Sequence, residues 1–517
     1  MNRLLRIVWA VFLLWLIAWP LCGILFSSLE EKGFQYIFEH ILKKPAALTT
    51  MRTALLAASV SLLAAGIGTI LGWFLAFHRV PAGWLINFTL LIPLVLPNYV
   101  FGIAWADLVG SRLYGFWGCV FVLTLCWFPL PTFLVRRALQ EMDCAIHEAA
   151  RVDGASEVET AFFIDIPVIT PVVFSSWILI SVLVLGEFGV PSLLLVHVSS
   201  FDVYTEFSAF YDTASAAVSA FPVLATAMGL ILLERIQRRG KVLRILTHDQ
   251  GRETRPRSER VWPFYVILTV CMLPGLIPLG VLVHQSIRSD VFPVLVRAYR
   301  LVDRGALVSI YLSFQGAAAS TLCGLLISIT LDRRLSRPLL RLVDPVAECA
   351  IMLLLAVPPV LWSLSLIRYW NQPDVWMTLV ADSTAILTIG YVGRFLPITY
   401  RICRDGLDSV QTESIEMGQS DGANFRQLCA FVLWPLLRPT ILVAFAIGFV
   451  FCFGELAVTL LCAPPGVATL PVRLYTIMAN SPTNVVATVA VFLVSVCVPC
   501  AALALWISGT GLSQRRM

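Results

Sequence analysis

Two polar segments of this chain are variants of one pattern, and one constant interval separates all of their matching positions. The first reads EAARVDGASEVETAFFIDIP from Glu148, and the second reads EMGQSDGANFRQLCAFVLWP from Glu416. A repeat at a fixed interval indicates a tandem duplication. Because each copy lies between strongly apolar segments, we expect two equivalent loops on one side of a membrane protein.

The composition independently favours a bilayer. Of the 517 residues, 58% are apolar and 13% are charged, against roughly 45–50% and about 25% in an ordinary soluble domain. The net charge of +5 is small, and the basic residues form no stripe with interleaved aromatics, so the sequence gives no reason to expect nucleic-acid binding.

A spanning helix needs roughly 20 apolar residues, and about twelve segments qualify, six in each half. They are Ile7 to Phe26, Ala54 to Phe77, Trp84 to Gly110, Phe116 to Val135, Ile169 to Leu195, Ser215 to Leu233, Trp262 to Val283, Ala306 to Leu331, Ala347 to Ile367, Val375 to Ile398, Thr440 to Cys462 and Val485 to Ser508. The sequence therefore predicts an all-α membrane protein.

Basic residues in the loops predict the orientation. They cluster after the sixth span, between Arg235 and Arg260, and after the eighth, between Arg333 and Arg341. Both connections are expected in the cytoplasm, which places both termini and both repeated loops there as well. The loop after the seventh span is also basic, although the alternation puts it outside. Its basic residues are Arg288, Arg297, Arg300 and Arg304.

Each repeated loop is predicted to form a helix, a break and a second helix. Gly154 and Gly422 supply the break, because glycine readily adopts the left-handed conformation that ends a helix. A capping signal follows each glycine, Ser156 with Glu159 in the first loop and Asn424 with Gln427 in the second. Pro167 and Pro435 stand where the chain turns back into the bilayer.

Two acidic residues repeat within the membrane. Glu187 in the fifth span and Glu455 in the eleventh are separated by the same interval as Glu148 and Glu416, and each follows a glycine. Acids at this depth usually face a cavity or a partner, so they are candidates for a translocation pathway, with Asp107 as a weaker one. The alternative is that each glutamate lies near the external interface and only caps a helix. Prolines 93, 97, 358 and 359 predict kinked or interrupted helices.

No enzymatic chemistry is predicted. The chain contains no G-x-x-x-x-G-K-[ST] phosphate-binding loop, so ATP hydrolysis would need another subunit. Its six histidines, predicted to be loop or interface residues, have no metal-ligand spacing. The CVPC at Cys497 lies in an apolar span and indicates packing. No cofactor, catalytic residue or metal site is expected.

The repeated loops resemble the signature of the binding-protein-dependent permeases of ATP-binding-cassette (ABC) importers: Glu-Ala-Ala, three residues, Gly, nine residues, then Ile-x-Leu-Pro. The first copy matches through Glu148, Ala149, Ala150, Gly154, Ile164 and Pro167. The second keeps Glu416, Gly422 and Pro435 but has Met417 and Gly418 in place of the alanines. The resemblance covers nearly the whole chain.

The resemblance implies a type I importer permease with two fused six-span repeats, residues 1–234 and 262–517, joined by a basic linker, 235–261. The loops 136–168 and 400–436 would then contain coupling helices that dock on an ATPase dimer in the cytoplasm. An extracytoplasmic binding protein would deliver substrate to this protein in a bacterial inner membrane.

The resemblance is closest to the ferric-iron branch, through segments such as GEFGVPSLLL and GELAVTLLCAPPGVATLPVRLYTIM. Thiamine permeases share the fused layout, and polyamine, phosphonate and sulfate permeases are related. Carboxylates suit a hard ferric ion but would equally attract a cationic organic substrate. A twelve-span secondary carrier is the alternative of another class, although it gives no reason for the repeated loops.

Overall fold

The chain is described here from a computed structural model, which covers residues 19–33, 39, 44–78, 83–140, 142, 144–238, 262–287, 291–332, 348, 350–478 and 480–514. Most of the first predicted span, most of the basic linker, the basic segment around Arg337, Arg288 and the C-terminal arginines lie outside these residues. The repeat boundaries and the orientation therefore stay predictions.

The smaller of two compact units comprises residues 44–199 and 222–282. Its helices are α2 (Lys44–Phe77), α3 (Gly83–Val95), α4 (Asn98–Val109), α5 (Phe116–Trp127), α6 (Pro129–Gln140), α7 (Cys144–Val152), α8 (Glu157–Thr160), α9 (Ile166–Leu185), α10 (Gly189–Leu193) and parts of α12 (Thr213–Arg238) and α13 (Trp262–Ile287). Helices α2, α6 and α9 pack against one another. A buried apolar cluster joins the three helices, with Phe77 from α2, Val135 and Leu139 from α6, and Ile169 from α9.

The larger unit comprises residues 1–43, 200–221 and 283–517. It contains α1 (19–33), most of α11 (Ser199–Phe210), α14 (Val291–Thr330), α15 (Pro359–Trp370), α16 (Val375–Ala381), α17 (Ala385–Asp408), α18 (Thr412–Ser420), α19 (Phe425–Gln427), α20 (Trp434–Gly454), α21 (Ala457–Cys462), α22 (Leu470–Met478) and α23 (Thr483–Gln514). Here α14, α17 and α20 pack together, as α2, α6 and α9 do in the smaller unit.

Ten of the twelve predicted spans have a counterpart of sufficient length and apolarity in the described part of the chain. Seven are single helical segments, and three are pairs of helices bent at a short break. The first predicted span lies largely outside the described residues. The seventh coincides with α13, in which the apolar segment Pro274–Ile287 is shorter than a full membrane span.

Prolines interrupt two spans, as predicted. Helices α3 and α4 meet at 101° across Pro97, and the helical segment ending at Ala356 meets α15 at 108° across Pro358. Both prolines have extended ψ angles, 131° and 137°, which end the preceding helix and re-aim the chain. The tenth span is also interrupted, at a place for which the sequence predicted no break: α16 and α17 meet at 72°, with the Ser383 hydroxyl accepting a hydrogen bond from the Ala385 N–H.

The larger unit brings together three connections that the sequence placed on the outer side. Lys32 donates to Asp212 at 2.8 Å, and Arg368 pairs with Glu31 and donates to Thr213. Burial alone would raise the pKa of Asp212, but the Lys32 ammonium and the Ser215 N–H and hydroxyl lower it to about 2. These contacts hold the end of α1 against the start of α12 and the end of α15.

Glycines allow equivalent close contacts in the two units. A Cβ on Gly72 in α2 would lie 2.7 Å from the Thr132 carbonyl oxygen in α6. A Cβ on Gly324 in α14 would lie 2.8 Å from the Tyr400 nitrogen in α17. Thr132 and Tyr400 are separated by the interval of the repeated loops. Gly72 and Gly324 therefore occupy corresponding places, and aligning them sets the register between α2 and α14.

We predict that Gly72→Val destabilises the protein by about 1–3 kcal/mol, because its side chain would push α2 away from α6. Thermal unfolding in detergent, followed by tryptophan fluorescence, measures the change. Gly66→Ala is the matched control in the same helix, since a Cβ there meets nothing within 4 Å. Equal melting temperatures for both variants would contradict the close packing of α2 and α6.

Candidate functional site

The first repeated loop has the predicted helix, break and helix. Helix α7 ends at Val152, and Gly154, two residues later, has φ of +84°. The Ala155 N–H donates to the Ala150 carbonyl at 2.9 Å and the Gly154 N–H to the Arg151 carbonyl at 3.1 Å. This pair of bonds is a Schellman motif, which satisfies carbonyls left free at a helix end.

A capping box then starts the second helix of this loop. The Ser156 hydroxyl accepts from the Glu159 N–H, and the Glu159 carboxylate accepts from the Ser156 N–H at 2.8 Å. A π-helical turn, Ala161–Asp165, leads into α9 with Pro167 in its first turn. The loop is therefore a bent pair of helices whose ends are satisfied by hydrogen bonds within the loop.

The second repeated loop has the same geometry despite its divergent sequence. Gly422 has φ of +78°, and the Ala423 N–H donates to the Gly418 carbonyl at 3.1 Å. Asn424 and Gln427 form the capping box, and a π-helical turn, Leu428–Leu433, leads into α20 with Pro435 in its first turn. Met417 and Gly418 therefore leave the backbone of the loop unchanged.

Both loops expose charged and apolar side chains. Glu148 and Ala149 in the first loop and Glu416 in the second are exposed, while Ala150 is half-buried. Val152 and Met417 are 86% and 67% exposed. Large apolar side chains on an otherwise polar segment indicate a surface for a protein partner.

The two membrane glutamates cap short helices. The Glu187 carboxylate accepts hydrogen bonds from the Gly189 and Val190 N–H groups at the start of α10, at 3.1 and 3.4 Å, and from the Asn98 amide at 2.7 Å. The Glu455 carboxylate accepts from the Val458 N–H of α21 at 3.2 Å. Capping, one of the two alternatives drawn from the sequence, is thus present at both positions.

The remaining candidates take no part in these contacts. Asp107 is half-buried in the last turn of α4. In the described part of the chain, no cluster of three or more His, Cys, Asp and Glu side chains has a metal-binding arrangement. Cys497 and Cys500 are free thiols, the first buried in α23.

Three buried or part-buried polar contacts were not predicted from the sequence. His147, predicted to be a loop or interface residue, is only 7% exposed and is bonded to the fully buried Asp165. Arg136 in α6 donates to the Asn87 side chain at 2.7 Å, and Arg394 in α17 points its guanidinium at the Val357 carbonyl beside a helix break. The only signal in the sequence was the position of each arginine, Arg394 within the tenth predicted span and Arg136 directly after the fourth.

The sequence of the chain matches one known protein family in two separate regions. Residues 68–239 and 316–508, more than half of the chain, match the family described as binding-protein-dependent transport system inner membrane component. The chain belongs to this family. Because the match occurs twice, the protein is a permease with two tandem repeats of the type I importer fold, a multi-pass inner-membrane component of an ABC importer.

Three relatives give the range of the similarity. The Fe(3+)-transport system permease protein FbpB 2 of Haemophilus influenzae is 27% identical over 90% of this chain and 92% of its own length. The putative ferric transport system permease protein FbpB 1 of the same organism is 24% identical over 70% of this chain and 61% of its own. The molybdenum transport system permease protein ModB of Escherichia coli is 30% identical over 28% of this chain and 68% of its own.

We predict that Glu187→Gln destabilises the permease less than Glu187→Leu, because the one amide oxygen of Gln still accepts the N–H groups of α10, although its NH₂ group cannot accept from the Asn98 amide. Glu187→Leu leaves these donors unpaired and should cost about 1–3 kcal/mol. Thermal unfolding of both variants, with Glu455→Gln and Glu455→Leu as the corresponding pair, measures the difference. Equal destabilisation by Gln and Leu would contradict capping by the carboxylate oxygens.

Proposed function

We propose that the permease is driven by a separate ATP-binding subunit that docks on the two repeated loops. The observation that supports this most is the matching backbone path of the loops around Gly154 and Gly422 in a member of a binding-protein-dependent family. A motor with two equivalent subunits needs two equivalent contacts. Rigid bent helices can convert closure of those subunits into a movement of the membrane helices.

The coupling residues in this proposal are those of the repeated pattern. They are Glu148, Ala149, Ala150, Gly154 and Pro167 in the first loop, and Glu416, Gly422 and Pro435 in the second. The loops and both termini would lie in the cytoplasm, and an extracytoplasmic binding protein would deliver the substrate from the other side. The basic connections support this orientation.

We propose ferric iron as the substrate. The supporting observation is that a relative matched over 92% of its own length is named as an Fe(3+) permease. Glu187, Glu455 and Asp107 remain candidates for the pathway, since hard carboxylate oxygens suit a ferric ion. Sulfate is an alternative substrate, and molybdenum is another because ModB, named for molybdenum, matches over 159 residues. Thiamine, a polyamine and a phosphonate are further alternatives.

We predict that Gly154→Val and Gly422→Val each lower ATP-driven uptake, because a β-branched residue is strained at a positive φ and would re-aim the coupling helix. Uptake and co-purification of the ATP-binding subunit are measured with permease in proteoliposomes. Gly466→Val is the matched control, since Gly466 has φ of +84° outside both loops. Equal loss of uptake in all three variants would contradict a specific role of the loops.

We predict ATP-dependent accumulation of radioactive iron when the permease is reconstituted with its ATP-binding subunit and an iron-loaded binding protein. Molybdate, sulfate and thiamine should neither accumulate nor compete. If one of these compounds accumulated instead of iron, ferric iron would be the wrong substrate and that compound would take its place in the proposal. Full uptake by the permease alone, driven by an ion gradient without nucleotide, would overturn the ATP-driven mechanism in favour of a secondary carrier.

A further inference from the structure

A buried polar network holds the first coupling helix, α7, against two membrane helices. The His147 Nε2 lies 2.8 Å from Asp165 Oδ1, and the Trp73 indole N–H donates to Asp165 Oδ2 at 3.0 Å. Asp165 is fully buried and His147 is 7% exposed. The carboxylate thus joins α7, the π-helical turn before α9, and α2.

The imidazole of His147 makes a second contact with α2. Its ring meets the Phe77 ring edge to face, with centroids 5.4 Å apart. The Nδ1 atom is buried and has no hydrogen-bond partner among the described residues. The hydrogen bond to Asp165 therefore involves Nε2, which donates to the carboxylate when it carries a hydrogen.

The second loop fills the same places with aliphatic side chains. In the alignment of the two loops, Ile415 corresponds to His147 and Leu433 to Asp165. In the register set by Gly72 and Gly324, Leu325 corresponds to Trp73 and Ile329 to Phe77. Ile415 and Leu433 are buried in one cluster, against which Leu325 and Ile329 pack.

This difference matters because the two kinds of contact respond differently to displacement. A buried carboxylate is costly unless its hydrogen bonds are made, so the first loop resists any shift that lengthens them. Aliphatic contacts are non-directional and tolerate small sliding of one helix on another. The second loop demonstrates that the same fold accepts an apolar solution at these positions.

We propose that His147 and Asp165 are positioning residues that make the first coupling helix move as one body with α2 and α9, so that the two coupling loops transmit ATPase closure unequally. This inference rests on the proposed ATP-driven function. In this proposal, hydrogen bonds attach the first coupling loop stiffly to α2 and α9, whereas apolar contacts attach the second coupling loop more compliantly to its neighbouring helices.

The test replaces the polar residues of the first loop and α2 with the aliphatic residues found at the corresponding positions around the second loop. The variant Trp73→Leu, His147→Ile, Asp165→Leu replaces all three polar groups with the residues at corresponding places, which the fold already accommodates. We expect it to fold and to co-purify with the ATP-binding subunit. The number of substrate molecules transported per ATP hydrolysed should fall at least about fivefold, the lower end of common coupling strengths.

Two single substitutions separate positioning from space filling. His147→Gln keeps a donor for Asp165 and should retain the wild-type ratio of transport to hydrolysis, whereas His147→Ile should lose it. Amide hydrogen exchange in the full permease gives a readout without ATP. His147→Ile should speed exchange in Cys144–Val152 and leave Thr412–Ser420, the matching helix, unchanged.

The outcomes are distinguishable. A triple variant with the wild-type transport ratio, or unchanged exchange in α7 of His147→Ile, would overturn the proposal. If the triple variant does not fold, the comparison of His147→Gln with His147→Ile decides it. If the wild type shows no ATP-dependent uptake, the proposed function fails, while hydrogen exchange still tests whether His147 holds α7 in place.

Discussion

The need to satisfy every backbone hydrogen bond in an apolar medium shapes this protein. It makes nearly all of the described chain helical and restricts where a helix can stop inside the membrane. At α10 and α21 the chain breaks shortly after a glycine, and Glu187 and Glu455 accept the N–H groups of the new helix. At Pro97 and Pro358 the residue itself has no N–H to satisfy.

In a loop that is exposed to solvent, water can satisfy the backbone groups at the helix ends. The two repeated loops nevertheless satisfy their helix ends internally, with Schellman bonds at Gly154 and Gly422 and a capping box after each. Hydrogen bonds within the loop, in place of hydrogen bonds to water, favour a single conformation of each loop. The matching geometry of the two loops is what the proposed docking on two equivalent ATPase subunits requires.

The features that could be predicted from the sequence depend on the type and spacing of residues close together in the chain or repeated at a fixed interval. Duplication, apolar length, the glycine breaks at 154 and 422 and the capping signals are all visible as letters at fixed intervals. The bend between α16 and α17 was missed because no proline or glycine marks it. His147 and Asp165 were not paired in advance, because the contact depends on how a π-helical turn folds back on α7. Charge repetition at Glu187 and Glu455 identified two notable residues but did not distinguish capping from a pathway.

Photo-cross-linking in native membranes tests whether the two loops form the docking surface for the motor. Benzoylphenylalanine placed at Val152 and at Met417, both exposed, should each cross-link to an ATP-binding subunit. The same group at Tyr211, which is 81% exposed and predicted to lie outside, should not. Cross-links from Val152 or Met417 to an extracytoplasmic protein, or from Tyr211 to the ATP-binding subunit, would contradict the account.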